Sequence, residues 1–353
     1  LCVTARPEDW AAAEPGHRAL SSAALPLDGA PSTHILKPQP WGRLAGLVEA
    51  EAWGMEVARH VTETAGSAIL DLPDAPPTLA VERFDRVETE RGLVRLHQED
   101  CAQALGIEPG RKYAATATPT KSDPTYKGIA ELLSRYAADS LEERKRLLRH
   151  LFVNTVLGNT DAHAKNYALL HGGDEVCLAP LYDVVPALEI TPNVLFMGLR
   201  IDGRIRIDRI ERENIVAEAR SWGLPARVVD EVLGKAAEDV RLGIAVSRSR
   251  RPPRRARFGA VEGDGILIFA NTWNDFGKTT VGAGERLSCG RKREAGHWAV
   301  FGGSGGRRLR AGAGGIARRL QAGALDLVRI PAGARSGVLL GGRLLRDRQL
   351  GRG

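Results

Sequence analysis

One stretch of this 353-residue chain leaves the fewest ways to fold. From Leu151 to Asp183 it runs Leu-Phe-Val-Asn-Thr-Val-Leu-Gly-Asn-Thr-Asp-Ala-His-Ala-Lys-Asn-Tyr-Ala-Leu-Leu, then His-Gly-Gly-Asp-Glu, then Val-Cys-Leu-Ala-Pro-Leu-Tyr-Asp. Upstream, Ser140-Leu-Glu-Glu143 has the capping-box pattern, Ser with Glu three residues on. Leu141, Leu148, Phe152 and Val156 follow at helical spacing, and Gly158-Asn159 ends the helix. Tyr167–Leu170 and Val176–Ala179 are short apolar runs around a Gly-Gly turn, the pattern of a β-hairpin. The stretch therefore reads as helix, polar turn, strand, turn, strand, aspartate.

A hairpin brings the chain back to where it left. Asn166 before the first strand and Asp183 after the second should meet, beside Asp161. Two carboxylates and an amide at one rim are oxygen donors of the kind Mg²⁺ takes together with substrate phosphates. An Asp, an Asn five residues later and a further Asp form the base-and-metal set of protein-kinase phosphoryl transfer. The alternative is an Asx-rich turn whose side chains only cap the backbone. Each residue alone fits that alternative; the combination at this spacing favours phosphoryl transfer.

Upstream segments supply further candidates. Pro31-Ser-Thr-His-Ile-Leu-Lys37-Pro reads as a strand ended by proline, and a helix follows from about Arg43 to Val61. Leu47, Met55 and Ala58 form its buried stripe, with Glu51 four residues from both Leu47 and Met55. A carboxylate inside an apolar stripe calls for a partner, and Lys37 on the preceding strand is the candidate. Strand Lys with helix Glu is the kinase pair that holds nucleotide phosphates. From spacing alone, Glu51 at the edge of the stripe with its head in water fits equally well. Thr78–Arg86 reads as an amphipathic strand. Gly128–Tyr136, Ser140–Leu157, Glu213–Trp222 and Ala226–Val246 read as helices, while residues 1–30 are Ala-rich without a sustained period and are assigned no structure.

Asn159-Thr-Asp161-Ala-His163-Ala-Lys165-Asn166 and Leu181-Tyr-Asp183 resemble the catalytic and metal-binding segments of the HipA family, bacterial serine/threonine kinases of which several are toxins of toxin–antitoxin pairs. Ser32–Pro38 is similar to the family's lysine strand, Thr78–Arg86 to its hinge, and Leu96–Leu105 with Lys112-Tyr113 to other family signatures. The resemblance runs from about Pro31 to about Val246. It implies an α+β, two-lobed, protein-kinase-like (HipA-type) fold with an incomplete N-lobe and a mainly helical C-lobe. Residues 1–30 are then an irregular remnant of an N-terminal region, 31–95 the N-lobe, 96–247 the helical C-lobe with the catalytic hairpin, and 248–353 a basic Gly/Arg-rich, poorly structured tail.

The resemblance also implies roles. Asp161 orients and deprotonates an acceptor hydroxyl, His163 supports the loop, and Lys165 neutralises charge near the transferred group. Asn166 and Asp183 hold Mg²⁺. Lys37 holds the ATP phosphates and Glu51 positions Lys37. Backbone groups around Val81, Glu82 and Phe84 meet adenine, and Gln98 is carried over with Glu99 and Asp100. ATP and Mg²⁺ are the implied cofactors. A DNA-binding antitoxin is the implied partner and an aminoacyl-tRNA synthetase the implied protein substrate. One departure is that residues 21–30 lack the glycine spacing that lets backbone N–H groups approach phosphate, and neither Ser21 nor Ser22 takes the place of the family's regulatory serine.

Charge is unevenly distributed. The whole chain is +7, yet residues 1–247 carry 28 Lys+Arg against 36 Asp+Glu, and Arg248–Arg257 alone contains six arginines. Over half of the 40 glycines follow Phe258. A Gly/Arg tract of this kind binds nucleic acid through phosphates if it is functional; out-of-frame reading of a GC-rich gene yields the same composition, and that origin is expected here. Asn274–Thr280 mimics a kinase Asp-Phe-Gly and half a P-loop but lacks the glycine five residues before Gly277. The competing reading of the whole chain is a catalytically defective kinase remnant acting as a binding module, or a nucleic-acid binder through the tail. Four scattered cysteines without a Cys-x-x-Cys argue against a zinc module and fit a reducing cytoplasm. No apolar run approaches the ~18 residues of a membrane span, and the Leu start suggests that the N-terminus is missing.

Overall fold

The structure is a computed structural model that describes residues 1–247 apart from 6–9, 13–16, 21–24, 27–29, 41–43, 71–74, 91, 117, 173–174 and 192. The tail from residue 248 onward, with every expectation placed on it, lies outside the described residues.

The first lobe is one sheet and one helix. Strands β1 (Cys2–Val3), β2 (Trp10–Ala12), β3 (His17–Leu20), β4 (His34–Pro38), β5 (Ser67–Leu70) and β6 (Thr78–Glu82) form a six-stranded sheet in the order β1-β4-β6-β5-β3-β2. Reading residues 1–30 as irregular is corrected here, since they supply three of these strands. Each is two to four residues long, too short to display a period of two, and sheet pairing rather than patterning specifies it. In the middle of the sheet, β4 and β5 flank β6, with Lys37 opposite Leu79 and Ser67 opposite Val81.

Helix α1 (Leu47–Arg59) lies between this sheet and the second lobe. Val48, Ala50, Glu51, Trp53, Gly54, Met55, Val57 and Ala58 are all buried, while Leu47 is only half-buried. The single apolar stripe expected for α1 is therefore too narrow. A helix buried on two sides shows less amphipathicity than a surface helix does. Beyond β6 the expected strand stops at Glu82; the chain turns and makes the hairpin β7 (Arg86–Thr89) and β8 (Gly92–Arg95). At that turn, Asp85 accepts from the Arg83 guanidinium through both oxygens, at 3.0 and 2.8 Å, and from Arg86 at 2.7 Å.

The second lobe is mainly helical. Strand β9 (His97–Asp100) leads into α2 (Cys101–Ala104), which Asp100 caps with Gln103 in a capping box. Helix α3 (Tyr126–Tyr136) starts at Thr125, whose hydroxyl accepts from Gly128 N–H. Helix α4 (Ser140–Val156) is where the sequence places it, but its cap is Asp139, accepting from Glu142 N–H, and Ser140 is the first helical residue. Glu143, expected to complete the box at Ser140, is instead buried, accepting from Leu178 N–H at 2.7 Å and pairing with Arg146. A hairpin of β10 (Ala168–Gly172) and β11 (Glu175–Leu178) follows, and β9 pairs with β10 to make a three-stranded sheet. Then come α5 (Ala187–Ile190), the hairpin β12 (Phe196–Ile201) and β13 (Arg204–Arg206), α6 (Arg212–Ser221) and α7 (Ala226–Val246).

One apolar core runs through both lobes, from Val48, Trp53 and Leu79 through Tyr126, Leu148 and Phe152 to Leu233 and Ile244. Polar contacts also join the lobes. Trp53 Nε1 donates to Ser247 O at 3.1 Å. Ala65 N–H donates to Leu181 O and Leu181 N–H to Glu63 O, each at 2.9 Å. Among the described residues no helix is long and apolar enough to cross a membrane.

Candidate active site

The site is assembled where β4 and α1 face the far end of the β10–β11 hairpin. Lys37 points from β4, and its Nζ donates to Glu51 Oε1 at 2.7 Å and to Asp183 Oδ1 at 2.6 Å. The other oxygen of Asp183 accepts from Asn166 Nδ2 at 2.5 Å. Lys37 and Asp183, 146 residues apart in sequence, thus form an ion pair across the two lobes. Of the two positions left open for Glu51, the structure takes the paired one: the residue is 4% exposed.

Asp183 is held on every side. Its backbone has φ +59°, a left-handed conformation that Asp tolerates better than most residues. A buried polar chain fixes it there. Asn159 Nδ2 donates to Asp183 O at 3.0 Å and to Asn154 Oδ1 at 2.9 Å, and Asn154 Nδ2 donates to the Tyr167 hydroxyl at 3.1 Å. That hydroxyl lies 2.8 Å from the hydroxyl of Tyr126. Behind Asp183, a Cβ on Gly54 would meet Val184 O at 2.2 Å; only a glycine lets α1 approach this closely.

Burial opposes the ionisation of Asp183, but Lys37 and then Asn166 hold its carboxyl below the usual aspartate range. Burial pushes the Glu51 carboxyl up to about 7, with Lys37 pulling it down and the charge of Asp183 adding to the rise. Burial also works against the Lys37 charge, and the two carboxylates together outweigh it and keep the ammonium above its ordinary value. Two acids share one cation, with Asn166 on the second oxygen of Asp183.

Asp161 is exposed at the turn after α4, and its Oδ1 accepts from the Tyr113 hydroxyl at 2.5 Å. His163 is buried. Its N–H donates to Asn166 Oδ1 at 3.0 Å, and its ring meets Tyr113 edge-on at 4.9 Å. Burial, and then the charge of Lys112, lower its pKa and keep the imidazole neutral. Lys165 Nζ lies 3.6 Å from Asp100 Oδ2, so β9 borders the turn from Asp161 to Asn166. Gly198 on β12 backs that turn: a Cβ there would come within 2.4 Å of Ala162 O.

The remaining candidates lie elsewhere. Val81 is buried within β6, paired with Ile35 on one side and Ser67 on the other. Glu82 N–H donates to Gly66 O at 2.7 Å and Arg83 N–H to Thr33 O at 2.9 Å, so these donors are already used inside the lobe. Phe84 packs on Tyr182, the chain neighbour of Asp183, with ring centroids 5.3 Å apart. Gln98 sits opposite Leu170 and lines a surface depression with Arg83, Asp85, Arg86 and Arg95; the hydrogen bonds of the Lys37–Asp183 cluster do not include it. Tyr113, Asn154 and Gly54 are missing from the candidates read out of the sequence, and Asn159 appeared there only as part of a motif. The Lys112-Tyr113 pair was a visible signal; nothing local marked Gly54.

The donor set suits Mg²⁺. One carboxylate and one amide oxygen are hard ligands, and Mg²⁺ completes its shell with water and substrate phosphate. Among the described residues no cluster of three His, Cys, Asp or Glu forms an all-protein metal cage. Asn166 Oδ1 takes the backbone N–H of His163 and keeps a lone pair, while its Nδ2, rather than this oxygen, faces Asp183.

Residues 13–243 match the family model described as HipA-like C-terminal domain. A protein of Sinorhizobium fredii named putative kinase Y4mE is 35% identical over 202 residues, covering 57% of this chain and 47% of that protein. The serine/threonine-protein kinase toxin HipA of Shewanella oneidensis is 26% identical over 229 residues, covering 63% and 52%. The chain thus spans about half the length of the curated relatives it matches. Among solved structures, the complex of Shewanella oneidensis HipA with HipB and operator DNA aligns with a TM-score of 0.57 at 23% identity, over 69% of this chain and 57% of that one. That likeness is one of fold: a mixed helix and strand, kinase-like architecture.

Proposed function

Because the chain belongs to the family of HipA-like C-terminal domains, we propose that it is an ATP-dependent protein serine/threonine kinase. The observation that carries this reading is Lys37, bonded at once to Glu51 of its own lobe and to Asp183 of the other, with Asn166 on the same carboxylate. A strand lysine paired with a helix glutamate of its own lobe, facing an aspartate of the other lobe, is the arrangement that grips nucleotide phosphates and Mg²⁺ in protein kinases.

In the proposed reaction Lys37 binds the phosphate oxygens of ATP, and Glu51 keeps its ammonium in place. Asn166 and Asp183 hold Mg²⁺, which when bound neutralises charge on the β- and γ-phosphates. Asp161 accepts the proton of the incoming hydroxyl as that oxygen bonds to the γ-phosphorus; the bond to the bridging β–γ oxygen breaks and ADP leaves. His163, its ring neutral and its backbone N–H donated to Asn166, sets the loop rather than moving protons. Lys165, beside Asn166 and half-exposed, offsets charge on the group in flight. The Phe84 end of the hinge run meets adenine.

The acceptor is a protein Ser or Thr hydroxyl. The family resemblance makes an aminoacyl-tRNA synthetase the substrate class and a DNA-binding antitoxin the partner, as HipB stands with HipA and operator DNA in the Shewanella complex. We propose the same toxin role in the cytoplasm for this chain, with 31–95 as its N-lobe and 96–247 as its C-lobe. Calorimetry with ATP, with and without Mg²⁺, is the test, together with phosphoryl transfer by the wild type and Asp161→Asn. Mg²⁺-dependent binding is expected in both proteins, with transfer lowered at least ~100-fold in the variant. ATP binding that is absent, or indifferent to Mg²⁺, refutes the reading.

A further inference from the structure

We propose that the Tyr113 phenol occupies the acceptor-hydroxyl seat on Asp161, gating the base against water until a substrate hydroxyl displaces it. The inference rests on the kinase reading above and goes beyond it by naming what fills the acceptor subsite before a substrate arrives.

Tyr113 donates to Asp161 Oδ1 at 2.5 Å, and among the described residues this is the one hydrogen bond the carboxylate makes. A general base takes a proton only from a group within hydrogen-bond reach, about 2.6–3.2 Å. An acceptor serine or threonine that gives its proton to Oδ1 must therefore bring its hydroxyl to the position where the phenol stands. A donor already present also lowers the electron density that the carboxylate offers to another O–H.

The placement is built, not incidental. Lys112 O accepts from Ala164 N–H at 3.1 Å and Ala114 N–H donates to Gly198 O at 2.9 Å, so the residues on both sides of Tyr113 are tied to the catalytic turn and to β12. Ala115 N–H donates to Asp123 Oδ2 at 3.1 Å, and Ala115 O accepts from Arg200 at 2.5 Å. The ring rests edge-on against His163, with Lys112 Nζ 5.0 Å from its centroid. Yet Tyr113 is 44% exposed. A side chain anchored at its backbone and partly exposed can swing aside by χ rotation without unfolding anything, which a gate requires and a buried structural tyrosine does not allow.

The inference is distinct from a positioning role. A phenol that merely oriented Asp161 would aid proton transfer, and its loss would slow turnover. A phenol that fills the seat holds turnover back, and its loss speeds any reaction whose acceptor lacks the binding energy to displace it. Water is such an acceptor.

The experiment measures Mg²⁺-dependent ATP hydrolysis without a protein acceptor for the wild type, Tyr113→Phe and the double variant Tyr113→Phe/Asp161→Asn, with ATP affinity by calorimetry. Tyr113→Phe removes the hydroxyl that ties the ring to Asp161 and so leaves the ring free to swing off the seat. Freeing an exposed carboxylate from one hydrogen bond should raise kcat about three- to ten-fold, leave the KM for ATP unchanged, and lose the gain in the double variant. A Tyr113→Phe rate equal to or below that of the wild type, in a protein that still binds Mg-ATP, overturns the gate and leaves the kinase reading standing. A wild type that does not bind ATP overturns both.

Discussion

Replacing Gly54 with alanine sets two effects of opposite sign against each other. In a helix interior the exchange is favourable by about 1 kcal/mol, because glycine has more backbone freedom to lose. Here the new Cβ would lie 2.2 Å from Val184 O and 3.0 Å from Pro186 Cδ. The nearer atom is backbone, one residue from Asp183, so no flexible side chain can yield. Relief requires α1 and the segment after Asp183 to separate by roughly 1 Å, and overpacking of this kind costs about 1–3 kcal/mol or somewhat more. The overlap should win, with a net loss of up to about 2 kcal/mol by denaturant unfolding. Activity should suffer more, since a misplacement of about 1 Å in a catalytic group costs on the order of 100-fold. Gly110, with open space where a Cβ would go, is the control. A Gly54→Ala protein that is about 1 kcal/mol more stable and phosphorylates at the wild-type rate would refute the close approach of α1 to Val184.

Further outcomes follow from the same geometry. Asn159→Ala strips the donor from Asp183 O and Asn154 Oδ1; it should lower stability by about 1–3 kcal/mol and weaken Mg-ATP binding, whereas intact affinity would show that Asp183 needs no such brace. At α4, Asp139→Ala should cost about 1 kcal/mol and Ser140→Ala a few tenths; the reverse order in thermal unfolding would restore Ser140 as the cap. Burial opposes the Asp85 charge, yet Arg83 and then Arg86 hold its carboxyl below the usual aspartate range. The folded pKa is depressed, so the stabilisation is present above the unfolded value and is lost as pH falls through the folded one. Asp85→Asn should therefore destabilise the protein at neutral pH and progressively less in acid; a penalty that does not shrink on acidification would contradict the ion-pair account.

What the sequence by itself determined is what chain neighbours decide. The α4 helix, the β10–β11 hairpin and the meeting of Asn166 with Asp183 all follow from periodicity and from an antiparallel turn that must bring its two ends together. Helix α7 came out with the same limits, Ala226–Val246, because a long helix declares its period many times over. The spacing of Asp161, Asn166 and Asp183 was legible for the same reason.

What only the tertiary structure decided lies between segments with no local means of finding each other. Lys37 and Asp183 are separated by 146 residues, and nothing in either neighbourhood specifies the other. Asp139 rather than Ser140 caps α4 because Glu143, the other half of the expected box, is drawn into the fold by Leu178 N–H and Arg146. The three strands before residue 21 are too short to carry a pattern and exist because the sheet offers edges to pair with. Glu51 and Gly54 acquire their meaning from what the second lobe presses against them, and Tyr113 from the turn that carries Asp161. Local patterns fix the path of a chain over a turn or two; which surfaces then meet is settled by the packing of the whole core, and the lysine, its two acids and the phenol on Asp161 stand where that packing put them.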